Sequence, residues 1–172
     1  MRNLVWMAVC VLLFSQTTLA DTIPSQSTFT ISSSTIKDRA NFPTENTCDG
    51  KDISPDIKWE NAPKETASFA LILSDLNAPG GVFYHWAVYN IPRTMSGISD
   101  FPLGISLAKN SWNRPVYNGP CPPKGLVHHY VFTLYALDSK LYLPSNAGSL
   151  DVLQHIQRHI ILKTELSAVY NH

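Results

Sequence analysis

Four side chains stand out for the chemistry they could do: Asp75, His85, His128 and Tyr130. A carboxylate can fix the tautomer of an imidazole or contact an ammonium group. Imidazole N–H and phenol O–H groups can donate to a phosphate or a carboxylate. All four stand where an apolar run meets a loop rich in Pro and Gly. Asp75 follows the run Phe69–Leu73, His85 lies early in the run Phe83–Ile91, and His128 and Tyr130 open the run that ends at Leu137. Backbone near Gly81, Gly119 and Gly125 could approach a ligand closely, because glycine has no Cβ to obstruct it. The expectation is a small anion pocket shared by residues 74–92 and 117–138. Each residue also has a plainer reading. A histidine entering a strand is commonly a satisfied core residue, and Tyr130 could be core alone. His128 and His129 could face solvent, although strand alternation puts them on opposite faces.

Other constellations are weaker. Two or three histidines with an aspartate could bind zinc. However, His155 and His159, four apart on a predicted helix, have Gln154 rather than a glutamate beside them. A polar helical flank explains them, so no metal is expected. The chain has no G-x-S-x-G nucleophile elbow, no G-x-x-x-x-G-K-[ST] phosphate loop and no G-x-G-x-x-G. Cys121 would serve as a nucleophile only as a free thiol. No catalytic residue, enzymatic activity or cofactor is therefore expected.

The elements that must position these residues are mostly strands. Residues 69–73 and 83–91 read as a hairpin, which brings Asp75 and His85 to one end of a sheet. Residues 68–73 are nearly all apolar without helical period, which suits a strand buried on both faces. Residues 130–137 are aromatic and β-branched, the clearest single strand. Shorter strands are expected at 29–31, leading on to Ile36, and at 57–59. Residues 41–47 and 141–147 read as loop, and 93–115 as a long surface excursion. One helix is expected, with Ser149 as N-cap and Asp151 in its first turn. Leu150, Leu153, Ile156 and Ile160 would form its apolar face, with an end near Lys163. Residues 166–170 are fraying helix or a last strand. The fold class is mainly β.

The totals bound the function. The chain of 172 residues is 44% hydrophobic and 15% charged, with a formal net charge of zero. That composition is globular, and without a Lys/Arg cluster it argues against a nucleic-acid partner. Arg2, the apolar run Leu4–Phe14 and the small residues ending at Ala20 follow the order of a signal peptide over residues 1–20. Residues 21–172 would form one domain, with residues 21–27 an extended arm. No later stretch is long enough for a transmembrane helix. The expected location is the periplasm or the outside of the cell. Removing the leader removes Cys10 and leaves Cys48 and Cys121. A pair of cysteines in an exported protein suggests a disulfide, with two free thiols as the alternative.

The ordered motifs carry a resemblance. Asp75–Pro79 (DLNAP), His85-Trp86, Gly119–Gly125 (GPCPPKG), His128–Tyr130 (HHY) and Tyr135–Asp138 (YALD) are similar to the phosphatidylethanolamine-binding protein family. Cys48–Gly50, Ile53–Pro55 and Trp59 resemble its bacterial, Raf-kinase-inhibitor-like branch. The resemblance runs from about Phe29 to Tyr170. It implies a large central antiparallel sheet, a smaller second sheet and a C-terminal α-helix. It also implies a pocket for a small anion or phosphorylated head group, formed by Asp75, Asn77, Pro79, His85, Gly119, Pro122, Pro123, His128 and Tyr130. In that reading His85, His128 and Tyr130 donate, Asp75 and Asn77 orient the donors, and the prolines shape the walls. The chain departs from the family pattern at Leu76 (proline), Asn77 (aspartate) and His129 (arginine). A Cys48–Cys121 bridge beside these loops would stabilise by ~4 kcal/mol in the chain-entropy model. Two other roles stay open. The pocket could receive a phosphorylated or carboxylate group of a partner protein, as in an inhibitor or signalling module, or Asp75 and His85 could serve a hydrolase.

Overall fold

The computed structural model describes residues 28–99 and 104–172. The expected leader over 1–20, the arm over 21–27 and Pro102 lie outside the described residues. The elements in chain order are β1 (Thr30–Ser32), β2 (Ala40–Asn41), a 3-10 turn (Thr44–Asn46), β3 (Ile57–Glu60), β4 (Ser68–Asp75), β5 (Phe83–Pro92), β6 (Gly97–Ile98), β7 (Ser106–Leu107), β8 (Val127–Leu137), α1 (Ser149–Ile156) and β9 (Ile160–Asn171). A six-stranded sheet runs β2-β9-β8-β4-β5-β7, and a three-stranded sheet runs β1-β3-β6. All pairs are antiparallel except β2 with β9. This is the expected mainly β architecture of a large and a small sheet with one helix.

The central strand β4 explains its own sequence. Phe69, Leu71 and Leu73 join a core cluster with Ile31 and Trp59 of the small sheet. Ala70 and Ile72 join a second cluster with Val152 and Ile156 of α1. Both faces of β4 are covered, so polar alternation is absent and the run is continuously apolar. Fully burying each of the Phe, Leu and Ile side chains among them is worth about 1.5–3 kcal/mol. The apolar run stops at Leu73, and Asp75, at the strand's end, reaches the cavity described below.

Four boundaries depart from expectation. The helix ends at Ile156 rather than near Lys163, and residues 160–171 form a strand along the whole of β8. In that strand Leu166, Ala168 and Tyr170 alternate inward, so a period of two wins where β8 offers an unpaired edge. The helix is therefore followed by the last strand. Its N-cap is Gly148, not Ser149, and the Asp151 carboxylate accepts the Gly148 N–H at 2.7 Å. Ser149 instead donates its hydroxyl to the Lys109 carbonyl at 2.9 Å. That bond turns Ser149, Val152 and Ile156 inward and leaves Leu150 58% exposed. Residues 41–47 hold the end of β2 and the 3-10 turn as well as loop, and the excursion from 93 to 115 contributes β6 and β7.

Candidate functional site

Sheet register sets the floor of a cavity. Asp75 lies opposite Phe83 of β5 and opposite Tyr130 of β8. Cross-strand partners share a face, and so do residues two apart along a strand. His85 and His128, each two positions from those partners, therefore project with Asp75 on the face that carries Leu73. Residues 83–85 and 128–130 are far apart in sequence from each other and meet because β4 lies between their strands.

The floor is buried and mutually bonded. His128 Nδ1 lies 2.7 Å from Asp75 Oδ2, with both side chains almost wholly enclosed. His85 Nδ1 lies 2.9 Å from the Asn118 carbonyl and 3.1 Å from the Gly119 carbonyl. A carbonyl only accepts, so Nδ1 of His85 carries the proton. The Asp75 carboxylate holds a proton on Nδ1 of His128 in the same way. Neither Nε2 has a hydrogen-bond partner among the described residues. In the neutral rings these Nε2 atoms are acceptors. The expected pair of imidazole donors is thus turned toward the protein, and either ring donates into the cavity only when protonated. Burial lowers the pKa of His85, opposed by its carbonyl bonds and the Asp75 charge. Tyr130 lies beneath the rings, 5.3 Å from the His85 ring centre and 6.5 Å from that of His128. Its buried hydroxyl makes no hydrogen bond of normal geometry among the described residues, and burial, then the Asp75 charge, raises its pKa.

Loops supply the walls. The cavity, of about 290 Å³, has Asp75, His85 and His128 as its polar groups. Pro79, Pro122, Pro123, Phe83 and Trp112 are its main apolar lining. Trp112 meets Phe83 edge-on at 4.5 Å and His85 at 5.0 Å. It is carried by a loop whose Ser111 exchanges hydrogen bonds with the Tyr84 backbone, each of 2.9 Å. Cys121 lines the rim and forms the disulfide with Cys48, with Cα atoms 5.5 Å apart. A larger hollow of about 580 Å³ near Lys64, Glu65 and Leu162 lacks any such convergence of titratable groups.

Three expected contacts lie outside the lining. Asn77 faces β8: its Oδ1 accepts from the His129 backbone N–H at 2.8 Å, and His129 Nδ1 lies at the same distance. Its own N–H donates to Asp75 Oδ1 at 2.8 Å, so it braces the loop and the carboxylate from behind. Gly119 supports His85 through its carbonyl, and its N–H donates to Asp52 Oδ1 at 2.6 Å. A Cβ there would lie 2.1 Å from the Asn46 carbonyl oxygen, so close backbone packing, not ligand approach, requires this glycine. Gly81 and Gly125 take positive φ of 122° and 80° in turns, away from the lining. Tyr130 forms the layer under the cavity. Sequence reasoning missed Trp112, Phe83, Asn118 and Asp52. Phe83 was two residues before a suspected histidine, which is a usable signal. Trp112 sat in an irregular segment and carried none.

Comparison with known proteins gives a consistent picture. The family model described as "Phosphatidylethanolamine-binding protein" matches residues 32–171. A "UPF0098 protein" of Aquifex aeolicus is 41% identical over 146 residues, covering 80% of this chain and 85% of the relative. A "Putative lipoprotein LppC" of Mycobacterium tuberculosis is 37% identical over 136 residues, covering 77% of this chain and 67% of the relative. Among solved structures, E. coli YbcL, described as a member of the mammalian PEBP family, matches with a TM-score of 0.79 and 30% identity. That match covers 84% of this chain and 98% of YbcL.

Proposed function

The chain belongs to the phosphatidylethanolamine-binding protein family, and from that premise we propose that it is an exported binding protein for a small phosphorylated ligand seated in this cavity. The observation that carries the reading is the buried Asp75–His128 pair beside His85, with both Nε2 atoms left for a ligand. A fully charged dianion would meet the Asp75 carboxylate and two lone pairs. A phosphate monoester that keeps one proton can instead donate its O–H to one Nε2. It can also accept from the other ring once that ring is protonated. The volume of about 290 Å³ suits a head group such as phosphorylethanolamine rather than a larger molecule. Pro79, Pro122 and Pro123 shape the walls, Asn77 and Gly119 hold the floor in place, and Phe83 and Trp112 give the organic part an aromatic surface. Turnover of a ligand is not part of this role.

Export is supported by the leader-like residues 1–20, by the Cys48–Cys121 disulfide, and by a relative whose name is that of a putative lipoprotein. No helix among the described residues is long and apolar enough to cross a membrane.

One observation favours a second reading, in which the ligand is a group on a partner protein. Leu76, Val82, Leu126 and Val127 are exposed, and each adjoins in sequence a floor or lining residue or its loop. Exposed apolar residues on the segments that carry the cavity suit a protein surface presenting a phosphorylated or carboxylate side chain.

Calorimetric titration with phosphorylethanolamine and inorganic phosphate, using the wild type and His128→Ala, tests the first reading. Saturable binding that the variant loses is the expected result. Binding of neither compound, or equal binding by the variant, would remove the small-ligand role from this cavity. A panel of phosphoesters left unhydrolysed by the same samples is expected, and turnover lost with His85→Ala would replace binding with catalysis.

A further inference from the structure

On the rim of the cavity, outside the binding floor, three potential metal ligands converge. Cys48, Cys121 and His172 have their ligating atoms all within 4.8 Å of one another, and all three residues are exposed. Cys48 and Cys121 are joined in the disulfide. His172 follows β9 directly, where Asn171 pairs with Val127, so the end of the strand delivers its ring to the sulfurs. Its Nδ1 lies 3.9 Å from Cys48 Sγ.

The second feature is the orientation of that ring. His172 Nε2 lies 3.2 Å from Asp49 Oδ1. Asp49 is itself fixed, because its Oδ2 accepts the Tyr170 hydroxyl. The carboxylate holds the ring proton on Nε2, so the neutral ring turns its Nδ1 lone pair toward the sulfurs. A disulfide sulfur has no proton to offer that lone pair. A carboxylate behind an imidazole whose other nitrogen faces two cysteine sulfurs is the outer-shell arrangement of metal-bound histidines.

We propose that reduction of the Cys48–Cys121 bond converts this corner into a binding site for one thiophilic metal ion of the zinc class, held by Cys48 Sγ, Cys121 Sγ and His172 Nδ1. Two thiolates and one imidazole are a borderline-soft set that suits zinc over magnesium or calcium. A tetrahedral ion with metal–sulfur bonds of about 2.3 Å needs its sulfurs about 3.8 Å apart. Cα atoms 5.5 Å apart allow that separation by side-chain rotation. Solvent takes the fourth position. The reductant is a dithiol or a phosphine. It delivers two electrons to the sulfur–sulfur bond, and two protons complete two thiols. The dithiol leaves as its own disulfide, or the phosphine leaves as an oxide with oxygen from water. Metal binding then displaces both thiol protons to solvent. Exposed disulfides are the more readily reduced ones, so the metal-free disulfide and the metal-bound dithiol are alternative states of one corner.

The test uses purified protein from which residues 1–20, and with them Cys10, have been removed, treated with a phosphine, freed of it without oxygen, and titrated with Co²⁺ and then Zn²⁺. The reduced wild type is expected to take one equivalent of Co²⁺ with thiolate-to-cobalt charge-transfer absorption, which Zn²⁺ then abolishes. The unreduced protein shows none. Cys48→Ser and Cys121→Ser lose the absorption. His172→Ala keeps both cysteines, so it reports on the site without touching the disulfide. It should weaken Zn²⁺ binding at least about tenfold, with Asp49→Asn weakening it less. Reduced wild type with two counted thiols and no charge-transfer band overturns the proposal, whether or not it stays folded. Unchanged Zn²⁺ affinity in His172→Ala overturns it as well.

Discussion

The floor and the wall of the cavity are built by different physics. The floor is Asp75, His85 and His128, three buried residues on neighbouring strands of one sheet. Their positions follow from strand register, and a shift of one residue would turn each of them to the other face. Most of the wall is the irregular chain from Asn110 to Pro123. It is held by side-chain bonds to backbone, such as Asn110 to the Val116 carbonyl at 3.1 Å, by the Asp52–Gly119 bond, and by the disulfide. The two meet at His85, which stands on the floor and bonds to carbonyls of the wall. A polar site placed by a sheet is hard to move but costs stability when one partner is removed. A site edge placed by loops can lose a lining side chain with less damage to the fold, so long as the disulfide that ties it down is kept.

This contrast can be broken or sharpened experimentally. The largest effect is expected at the wall. Reducing the disulfide, which closes a sequence separation of 73 residues, should lower unfolding free energy by about 4 kcal/mol in the chain-entropy model. Denaturant unfolding with and without a phosphine measures it. An unchanged midpoint would show that the wall is held by hydrogen bonds alone. Next comes the floor. Asp75→Ala leaves the buried His128 ring without its partner and should destabilise by about 3 kcal/mol, with loss of ligand binding. A variant as stable as wild type would mean that the floor relaxes, which contradicts its register-fixed character.

Smaller effects separate the two regions further. Trp112→Ala should leave stability nearly unchanged and weaken phosphorylethanolamine about fivefold, or ~1 kcal/mol, while sparing inorganic phosphate. Equal loss for both ligands would move Trp112 from the organic part of the site to the anion. The smallest effect concerns pH. Burial lowers the His85 pKa from its ordinary value of about 6.5. An anion favours the protonated ring, so affinity should climb as pH falls below that value and stay flat above about 7.5. The unfolded chain takes up this proton first, so fold stability should decline as pH falls through the same window. His85→Gln flattens the affinity rise, and titration calorimetry from pH 8 to 5 decides it. A flat profile for wild type would take His85 out of direct contact.

The floor was largely legible in the chain, and the wall was not. Asp75, His85 and His128 each stand at the end of an apolar run, and strand alternation alone separates buried His128 from exposed His129. Trp112 and Asp52 lie in segments without period, where no local rule places a side chain. Asn77 and Gly119 carry the right motifs but stand one layer behind the cavity, because a motif marks a loop without saying which of its atoms face inward.

The sequence by itself determined the mainly β class, the doubly buried central strand and the ends of the strands where polar groups gather. These follow from local composition and period, which act over a few residues. Tertiary structure decided the rest. β9 replaced the end of the predicted helix because β8 offered it a partner along its whole length. The two histidines turned their protons toward Asp75 and toward the carbonyls of Asn118 and Gly119, since buried donors bond to the acceptors that the fold brings near them. Which nitrogen faces the cavity is a property of neighbours from distant parts of the chain.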